Sequence, residues 1–138
     1  MASVKKNQQP VSNQPVVRFL FCPLYKETFI HRCKNDEVLK SKLSDFIKTK
    51  GQKENGKPVP RFGASDKPFS GDGNYPGLLH AHLNADMSIV YSVSGANPTD
   101  VKLYGIFSHD DLGTGQPSNK RKQVSMAQKF KSQPFSPN

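Results

Sequence analysis

The sequence LLHAHLNADMSIVYSV at residues 78–93 decides the fold expected for this chain. It contains two short apolar runs joined by a tight polar turn, a pattern typical of a β-hairpin. Because side chains of a strand alternate between faces, His80 and His82 project from the same side. Leu79 and Leu83 point the other way, toward a core. The segment therefore predicts a hairpin that presents two imidazoles on one rigid surface.

Further elements on both sides of this hairpin predict an α+β domain. Residues 16–21 are β-branched and aromatic, as in a strand. A helix is predicted to begin at Asn35 and to end at Gly51, with an apolar stripe made by Val38, Leu39, Leu43, Phe46 and Ile47 and with Lys50 off that stripe. Residues 101–107 predict a third antiparallel strand, and residues 118–130 a last helix. This order predicts a small antiparallel sheet with flanking helices.

Composition divides the chain into three parts. Residues 1–14 are rich in Gln, Asn, Ser and Pro and predict a flexible leader. Residues 15–131 predict a single domain, and residues 132–138 a flexible tail. Within the domain, residues 51–77 form a long Gly- and Pro-rich segment, which is typical of functional or mobile loops. Residues 22–34 fit either a helix or an extended segment.

The charge balance points to a polyanionic partner. Lysine and arginine number 20 against 11 acidic residues, for a net charge of +9 and a pI near 9.7. Such a bias favours nucleic acid, although charge can also serve solubility alone. No apolar stretch is long enough for a membrane helix, and no secretory signal precedes the domain. The two cysteines, Cys22 and Cys33, suit a reducing compartment, so we expect a cytoplasmic protein.

Histidines and carboxylates form one candidate catalytic group. Its predicted acid and base residues are His80, His82 and His109, and its supporting carboxylates are Asp86, Asp110 and Asp111. Histidine titrates near neutral pH, so a pair could take a proton from a ribose 2′-hydroxyl and protonate a leaving 5′-oxygen. Two alternatives stay open: purely structural histidines, or zinc held by imidazole and carboxylate. The spacing matches no established zinc signature, and no metal or other cofactor is expected.

A second candidate group is cationic and aromatic. Four basic residues of the last predicted helix are candidate RNA phosphate ligands: Lys120, Arg121, Lys122 and Lys129. An ordinary solvated helix face explains them equally well. Arg61 is a further phosphate candidate because it precedes Phe62. Phe62 and Tyr91 are the residues expected to stack on RNA bases.

Several short motifs together resemble the YafO family of ribosome-dependent mRNA interferases, toxins of type II toxin–antitoxin pairs with a RelE-like fold. The motifs, in chain order, are LSDFIK at 43–48, VPRFG at 59–63, HAHL at 80–83, IVY at 89–91, YGIFSHDDLG at 104–113 and MAQKF at 126–130. The resemblance spans roughly residues 38–131. It implies a metal-free endoribonuclease that cuts mRNA in the ribosomal A site, close to rRNA, and inhibits translation. It also implies an acidic cognate antitoxin protein. RelE-like enzymes often carry a catalytic residue near the C-terminus, but residues 131–138 offer only one lysine, so the general base cannot be transferred from the family.

Three other functions compete with this interpretation. The main rival is a non-catalytic RNA- or protein-binding module on the same scaffold, such as one encoded by a phage. A zinc-dependent hydrolase built from His80, His82 and His109 is a third hypothesis. A DNA-binding repressor is disfavoured because no clear helix-turn-helix pair is present.

Overall fold

A mixed five-stranded sheet forms the centre of the molecule in a computed structural model that describes residues 16–69 and 73–138. The strands are β1 (Val17–Phe21), β2 (Lys67–Pro68), β3 (Leu79–His82), β4 (Met87–Ser94) and β5 (Thr99–Ser108). The helices are α1 (Pro23–Arg32), α2 (Glu37–Gly51), α3 (His109–Leu112) and α4 (Lys120–Lys131). The α+β class and the flanking helices are confirmed, and residues 22–34 are largely helical.

The sheet has the order β1-β5-β4-β3-β2. The predicted hairpin is present, since β3 pairs antiparallel with β4, and β4 pairs antiparallel with β5. The sheet is mixed rather than antiparallel throughout, because the edge strand β1 runs parallel to β5. Parallel pairing requires a long crossover between the strands, and the two helices α1 and α2 lie within the connection between β1 and β5.

Helices cover both faces of the sheet. On one face, Phe46 of α2 packs edge-on against Tyr91 of β4, with ring centroids 5.1 Å apart. On the other face, Phe130 of α4 packs against Phe107 of β5 at 5.5 Å. The register pairs His82 with Ser88, and Ser88 with Phe107. The histidines of β3 therefore share the face that α4 covers.

The interior of β5 requires a glycine at position 105. The register of β4 and β5 shifts at Val90 and Tyr91, so that Tyr104 is left out of the ladder, as in a β-bulge. A Cβ atom at Gly105 would lie 2.7 Å from the Phe107 ring and 3.0 Å from the Thr28 hydroxyl oxygen of α1. The Thr28 hydroxyl in turn accepts a hydrogen bond from the Ile106 amide. The close approach of α1 to the bulge thus leaves no room for a side chain.

We expect Gly105→Ala to lower the free energy of unfolding by about 1–3 kcal/mol, the usual cost of overpacking a core. Urea denaturation measures the change. Gly51→Ala is the matched control, because a Cβ there meets only Phe19 atoms at 3.8 Å, an ordinary contact, and alanine favours a helix. Equal stability of the Gly105→Ala and wild-type proteins would contradict the packing described for the bulge.

The helix α2 ends at Gly51 as predicted, but it differs from its prediction at its start and in the burial of two side chains. Its N-cap is Asp36, whose side chain accepts a hydrogen bond from the Leu39 amide, so the helix begins after the predicted Asn35. Val38, predicted to face the core, is 70% exposed. Lys50, predicted to lie off the apolar stripe, is 2% exposed. A buried acidic partner, described below, explains why a lysine can occupy the core at the helix end.

The C-terminal segment 132–138, predicted to be a flexible tail, makes several contacts with the domain. Ser136 exchanges two backbone hydrogen bonds with Phe21 of β1. Phe135 packs on Tyr104 with ring centroids 4.8 Å apart, and the Gln133 side chain accepts a hydrogen bond from the Leu24 amide. The predicted leader at 1–14 lies outside the described residues.

Candidate active site

The fold brings three of the chain's four histidines together. His80 and His82 lie on β3 with ring centroids 6.1 Å apart, and the His109 ring lies edge-on to His82 at 5.2 Å. They open into a cleft of about 450 Å³. The cleft is lined by Ser65, Lys67, Phe69, His80, His82, Ser88, His109, Leu112, Thr114, Ser118 and Gln123. The candidate catalytic histidines therefore share one site.

A helix cap at the end of β5 positions His109. Ser108 is the N-cap of α3, and its side chain accepts a hydrogen bond from the Asp111 amide. The Asp111 carboxylate accepts a hydrogen bond from the Ser108 amide in return, which completes a capping box. Ser108 also pairs with Met87 at the start of β4, next to the turn that follows His82. His109, the first residue of α3, is thus held beside the β3 histidines.

Sequence reasoning missed Lys67, the lysine in the lining of the cleft. In β2, Lys67 pairs directly with His80 of β3. Ser65 secures the same segment, since its hydroxyl accepts a hydrogen bond from the His82 amide. Both residues belong to the irregular segment 51–77, whose length indicated function but whose pairing with β3 depends on long-range contacts. The structure thus adds one ammonium group to the three imidazoles.

Burial and neighbouring positive groups keep the strand histidines neutral. Desolvation, together with His82, His109 and Lys67, lowers the pKa of His80 to about 4. The pKa of His82 is also lowered, mainly by burial and then by His109 and Lys67. A bound phosphate would oppose this effect, because a nearby negative charge stabilises the imidazolium form. Both β3 histidines are therefore proton acceptors at neutral pH.

The low pKa of His80 predicts a specific dependence of stability on pH. Below its ordinary pKa of 6.5 the unfolded chain binds a proton at His80, whereas the folded chain does so only near pH 4. Folding stability therefore decreases as pH falls from about 6.5 to about 4, by up to roughly 3 kcal/mol. Urea denaturation of wild type and His80→Leu across this range measures the effect. His31→Leu is the control. If stability depended on pH in His80→Leu as it does in wild type, His80 would not be the source of this dependence.

The predicted supporting carboxylates do not contact the histidines. Asp86 is exposed in the β3–β4 turn, where its amide donates to the Asn84 side chain. Asp111 caps α3 and forms an ion pair with Arg32 at 2.7 Å. Asp110 is paired with Lys122 at 3.0 Å on the surface. All three interact locally, and of them only Asp111 bears on a histidine, through the capping box that positions His109.

The predicted base-stacking residue Tyr91 is buried and cannot present a ring face to RNA. It is 2% exposed and its hydroxyl donates a hydrogen bond to Asp66. Phe62 is partly buried and packs edge-on against Phe46 at 5.4 Å. Neither residue lines the histidine cleft. Both aromatic rings belong to the packing between α2 and the sheet.

Arg61 lies apart from the histidine cleft. Its guanidinium donates to the backbone carbonyl oxygens of Ala64 and Asp66, which stabilises its own loop. It lines a separate groove of about 630 Å³ on the α2 side, together with Lys53 and Thr99. The structure thus does not bring Arg61 together with the histidines as predicted.

The basic residues of α4 do not line the histidine cleft. Arg121, Lys122 and Lys129 are exposed, and Lys120 is the first residue of the helix. Lys122 is held by Asp110, and Lys129 lines a different cavity against α1. The α4 residue that enters the cleft is Gln123, whose side chain donates to the Gly113 carbonyl oxygen.

The geometry does not support the zinc hypothesis. Within residues 16–69 and 73–138, no group of three or more His, Cys, Asp or Glu side chains is arranged to hold a metal ion. Both cysteines are buried and free, and the sulfur of Cys22 lies 3.5 Å from the Leu103 carbonyl oxygen. The arrangement of the histidine cleft instead suits proton transfer and binding of an anion.

A buried polar network supports the loop that carries Lys67, and it too was missed from the sequence. Asp66 accepts hydrogen bonds from the Lys50 ammonium, the Tyr91 hydroxyl and the Phe62 amide. Lys50 also donates to the Pro60 carbonyl oxygen at 2.7 Å. Burial lowers the pKa of Lys50, and Asp66 opposes that effect. The network fixes residues 60–67 against α2 and β4, and so positions the edge of the cleft.

Comparison with known proteins identifies the fold. No protein-family model matches the chain, and no curated protein matches its sequence. Among solved structures, the chain is similar to a YoeB/ParE toxin from Agrobacterium tumefaciens, with a TM-score of 0.51 and 20% identity. The match covers 67% of this chain and 98% of that one. The chain therefore has the fold of a YoeB/ParE toxin. Among the described helices, none is long and apolar enough to cross a membrane.

Proposed function

We propose that this protein is the toxin of a toxin–antitoxin pair and cleaves mRNA on the ribosome through the histidine cleft. The observation that carries the proposal is the meeting of His80, His82, His109 and Lys67 in one cleft on a toxin-like fold. The sequence motifs that resemble the YafO family support the same reaction. A formal charge of +9 suits both an RNA substrate and an acidic antitoxin.

The proposed cleavage of RNA uses His82 as the general base and His109 as the general acid. His82, with a lowered pKa, is neutral and takes the proton of a ribose 2′-hydroxyl. The 2′-oxygen forms a bond to phosphorus, and the bond from phosphorus to the 5′-oxygen breaks. His109 acts as the general acid and donates a proton to that 5′-oxygen. The products are a 2′,3′-cyclic phosphate and a 5′-hydroxyl, so protons and bonds balance.

The remaining groups serve the transition state. The Lys67 ammonium stabilises the extra negative charge on the phosphorane-like transition state. His80, whose pKa is lowered to about 4, packs on Phe69 with ring centroids 4.4 Å apart and orients His82. Exposed Arg121 and Lys129, with their neighbours Lys120 and Lys122, attract the RNA backbone toward the cleft.

Toeprinting of an mRNA on purified 70S ribosomes tests this function. Wild-type protein is expected to cut translated mRNA and to leave naked RNA intact, whereas His80→Ala/His82→Ala is expected not to cut. His31→Ala is the matched control, because His31 is exposed on α1 outside the cleft. Cleavage of naked RNA would indicate a general ribonuclease. A folded wild-type protein that binds RNA without cutting it would instead indicate the non-catalytic binding module.

A further inference from the structure

The loop before β2 and the first residue of β2 form one edge of the histidine cleft. Lys67 pairs with His80 in the antiparallel ladder, and Ser65, two residues earlier, contacts the neighbouring histidine, His82. Both Ser65 and Lys67 line the cleft. Asp66, between them, lines the groove on the α2 side instead. This edge therefore presents one hydroxyl and one ammonium group to the strand that carries the histidines.

The Ser65 hydroxyl has a fixed oxygen and a hydrogen left to donate. Its oxygen accepts a hydrogen bond from the His82 amide at 3.0 Å. A hydroxyl can accept and donate at the same time, and this bond uses only its oxygen. No acceptor for the hydrogen is found in the part of the chain that the structure describes. Since Ser65 is partly exposed in the wall of the cleft, a molecule bound there can reach its hydroxyl.

The backbone on both sides of Ser65 is held in place. The Arg61 guanidinium donates to the carbonyl oxygens of Ala64 and Asp66, the two neighbours of Ser65 in the chain. The buried Asp66 carboxylate also accepts a hydrogen bond from the Phe62 amide at 2.7 Å. A donor that is fixed before the substrate binds needs no rearrangement during the reaction, which is why such donors stabilise developing charge effectively.

The charge of the cleft favours an anion. The lining residues include three histidines and Lys67, and no aspartate or glutamate is among those that the structure describes. Serine hydroxyls and lysine ammonium groups are both common ligands of phosphate oxygens in complexes with nucleic acids. A hydroxyl and an ammonium group on one edge, opposite the histidines, therefore suit the two nonbridging oxygens of a phosphodiester.

We propose that Ser65 is a further catalytic residue, whose hydroxyl donates a hydrogen bond to a nonbridging oxygen of the cleaved phosphate. The proposal rests on the proposed function and adds to it the group that holds the phosphate beside His82. Ser65 and Lys67 together bind the nonbridging oxygens, while the histidines move protons at the 2′- and 5′-oxygens. The hydrogen bond strengthens as negative charge accumulates on the phosphate in the transition state.

Phosphate binding tests the site without cleavage. Inorganic phosphate is titrated into the full-length protein while the His82 amide is followed by NMR. Ser65→Ala is expected to weaken binding about tenfold, because a hydrogen bond to a charged group is lost. Ser65→Thr keeps the hydroxyl and is expected to bind as wild type does. Wild-type affinity in Ser65→Ala would overturn the proposal.

Thr28→Val is the matched control for the loss of a hydroxyl that supports a strand. The Thr28 hydroxyl also accepts a hydrogen bond from a strand amide, that of Ile106, at 3.1 Å. Thr28 lies outside the histidine cleft. Urea denaturation is expected to show a loss of stability in Thr28→Val, and its affinity for phosphate is expected to equal that of wild type.

Sulfur substitution of the substrate separates contact with phosphate from a purely structural role. Two diastereomers of an mRNA carry sulfur in place of one or the other nonbridging oxygen at the cleaved position. Sulfur is a weak acceptor, so wild type on programmed ribosomes is expected to cut one diastereomer about tenfold more slowly than the other. Ser65→Ala is expected to reduce this difference. An equal loss of rate with both diastereomers would overturn the proposal, because the hydroxyl would then only hold strand β3.

The two experiments distinguish failure of this proposal from failure of the proposed function. If no RNA is cut but phosphate affinity depends on the Ser65 hydroxyl, the proposed function fails and the anion site stands. If RNA is cut and neither phosphate affinity nor the difference between diastereomers depends on Ser65, this proposal is overturned and the proposed function stands.

Discussion

Asp66→Ala is expected to lower the free energy of unfolding by about 3–5 kcal/mol, the cost of leaving one member of a buried ion pair alone. Lys50 and Asp66 side chains are 2% and 1% exposed. Alanine removes the acceptor of the Lys50 ammonium, of the Tyr91 hydroxyl and of the Phe62 amide. Water cannot replace these bonds without opening the packing of α2 on the sheet. Urea denaturation at neutral pH measures the loss.

Two variants determine whether the loss of stability comes from leaving the buried Lys50 ammonium without an acidic partner. Lys50→Met/Asp66→Asn leaves no charge in the core and is expected to be more stable than Asp66→Ala. Asp100→Ala breaks the Arg18–Asp100 pair, in which the Arg18 side chain is 50% exposed, and is expected to cost far less stability than Asp66→Ala. If Asp66→Ala and Asp100→Ala were equally stable, the buried network would not hold the loop.

His82→Ala and His109→Ala are each expected to lower the rate of RNA cleavage by roughly 10²- to 10⁴-fold, the usual contribution of a positioned acid or base. The rings lie 5.2 Å apart between centroids, close enough to act on two oxygens of one phosphodiester. Because the two groups act in one proton-transfer sequence, the double variant is expected to lose less than the product of the single losses. Single-turnover cleavage on programmed ribosomes measures all three rates.

His31→Ala again provides the matched control and is expected to cleave at the wild-type rate. Urea denaturation of each variant shows whether a lost rate reflects a lost fold. A folded His82→Ala or His109→Ala protein that retains more than about a tenth of the wild-type rate would remove that histidine from the proton-transfer pair.

Local patterns were sufficient for much of the fold. The alternation within residues 78–93 predicted a hairpin with His80 and His82 on one face, and that hairpin is present. The periodicity of α2 correctly placed Leu39, Leu43 and Phe46 in the core. Such elements are set by neighbours close in sequence, so their signal is visible in the chain itself. We grouped His109 with these two histidines because of its residue type alone. In the structure the pairing of β4 with β5 brings His109 beside them.

The errors share one physical cause. The sequence predicted that Lys50 lies off the apolar stripe and that Tyr91 stacks on RNA bases. Both residues are instead buried with a common partner, Asp66, which comes from a loop distant in sequence. Likewise, Lys67 joins the cleft only because β2 pairs with β3 across an irregular segment. Ser136 pairs with β1 through backbone atoms, which carry no side-chain signature in the sequence.

The sequence by itself determined the α+β class, the histidine-bearing hairpin and the strong positive charge, since these depend on local alternation and composition. The tertiary structure alone decided which charged groups are buried and which cation reaches the histidines. Those properties depend on contacts between segments far apart in the chain, because burial and hydrogen bonding are set by the packed neighbours of a residue rather than by its position in the sequence.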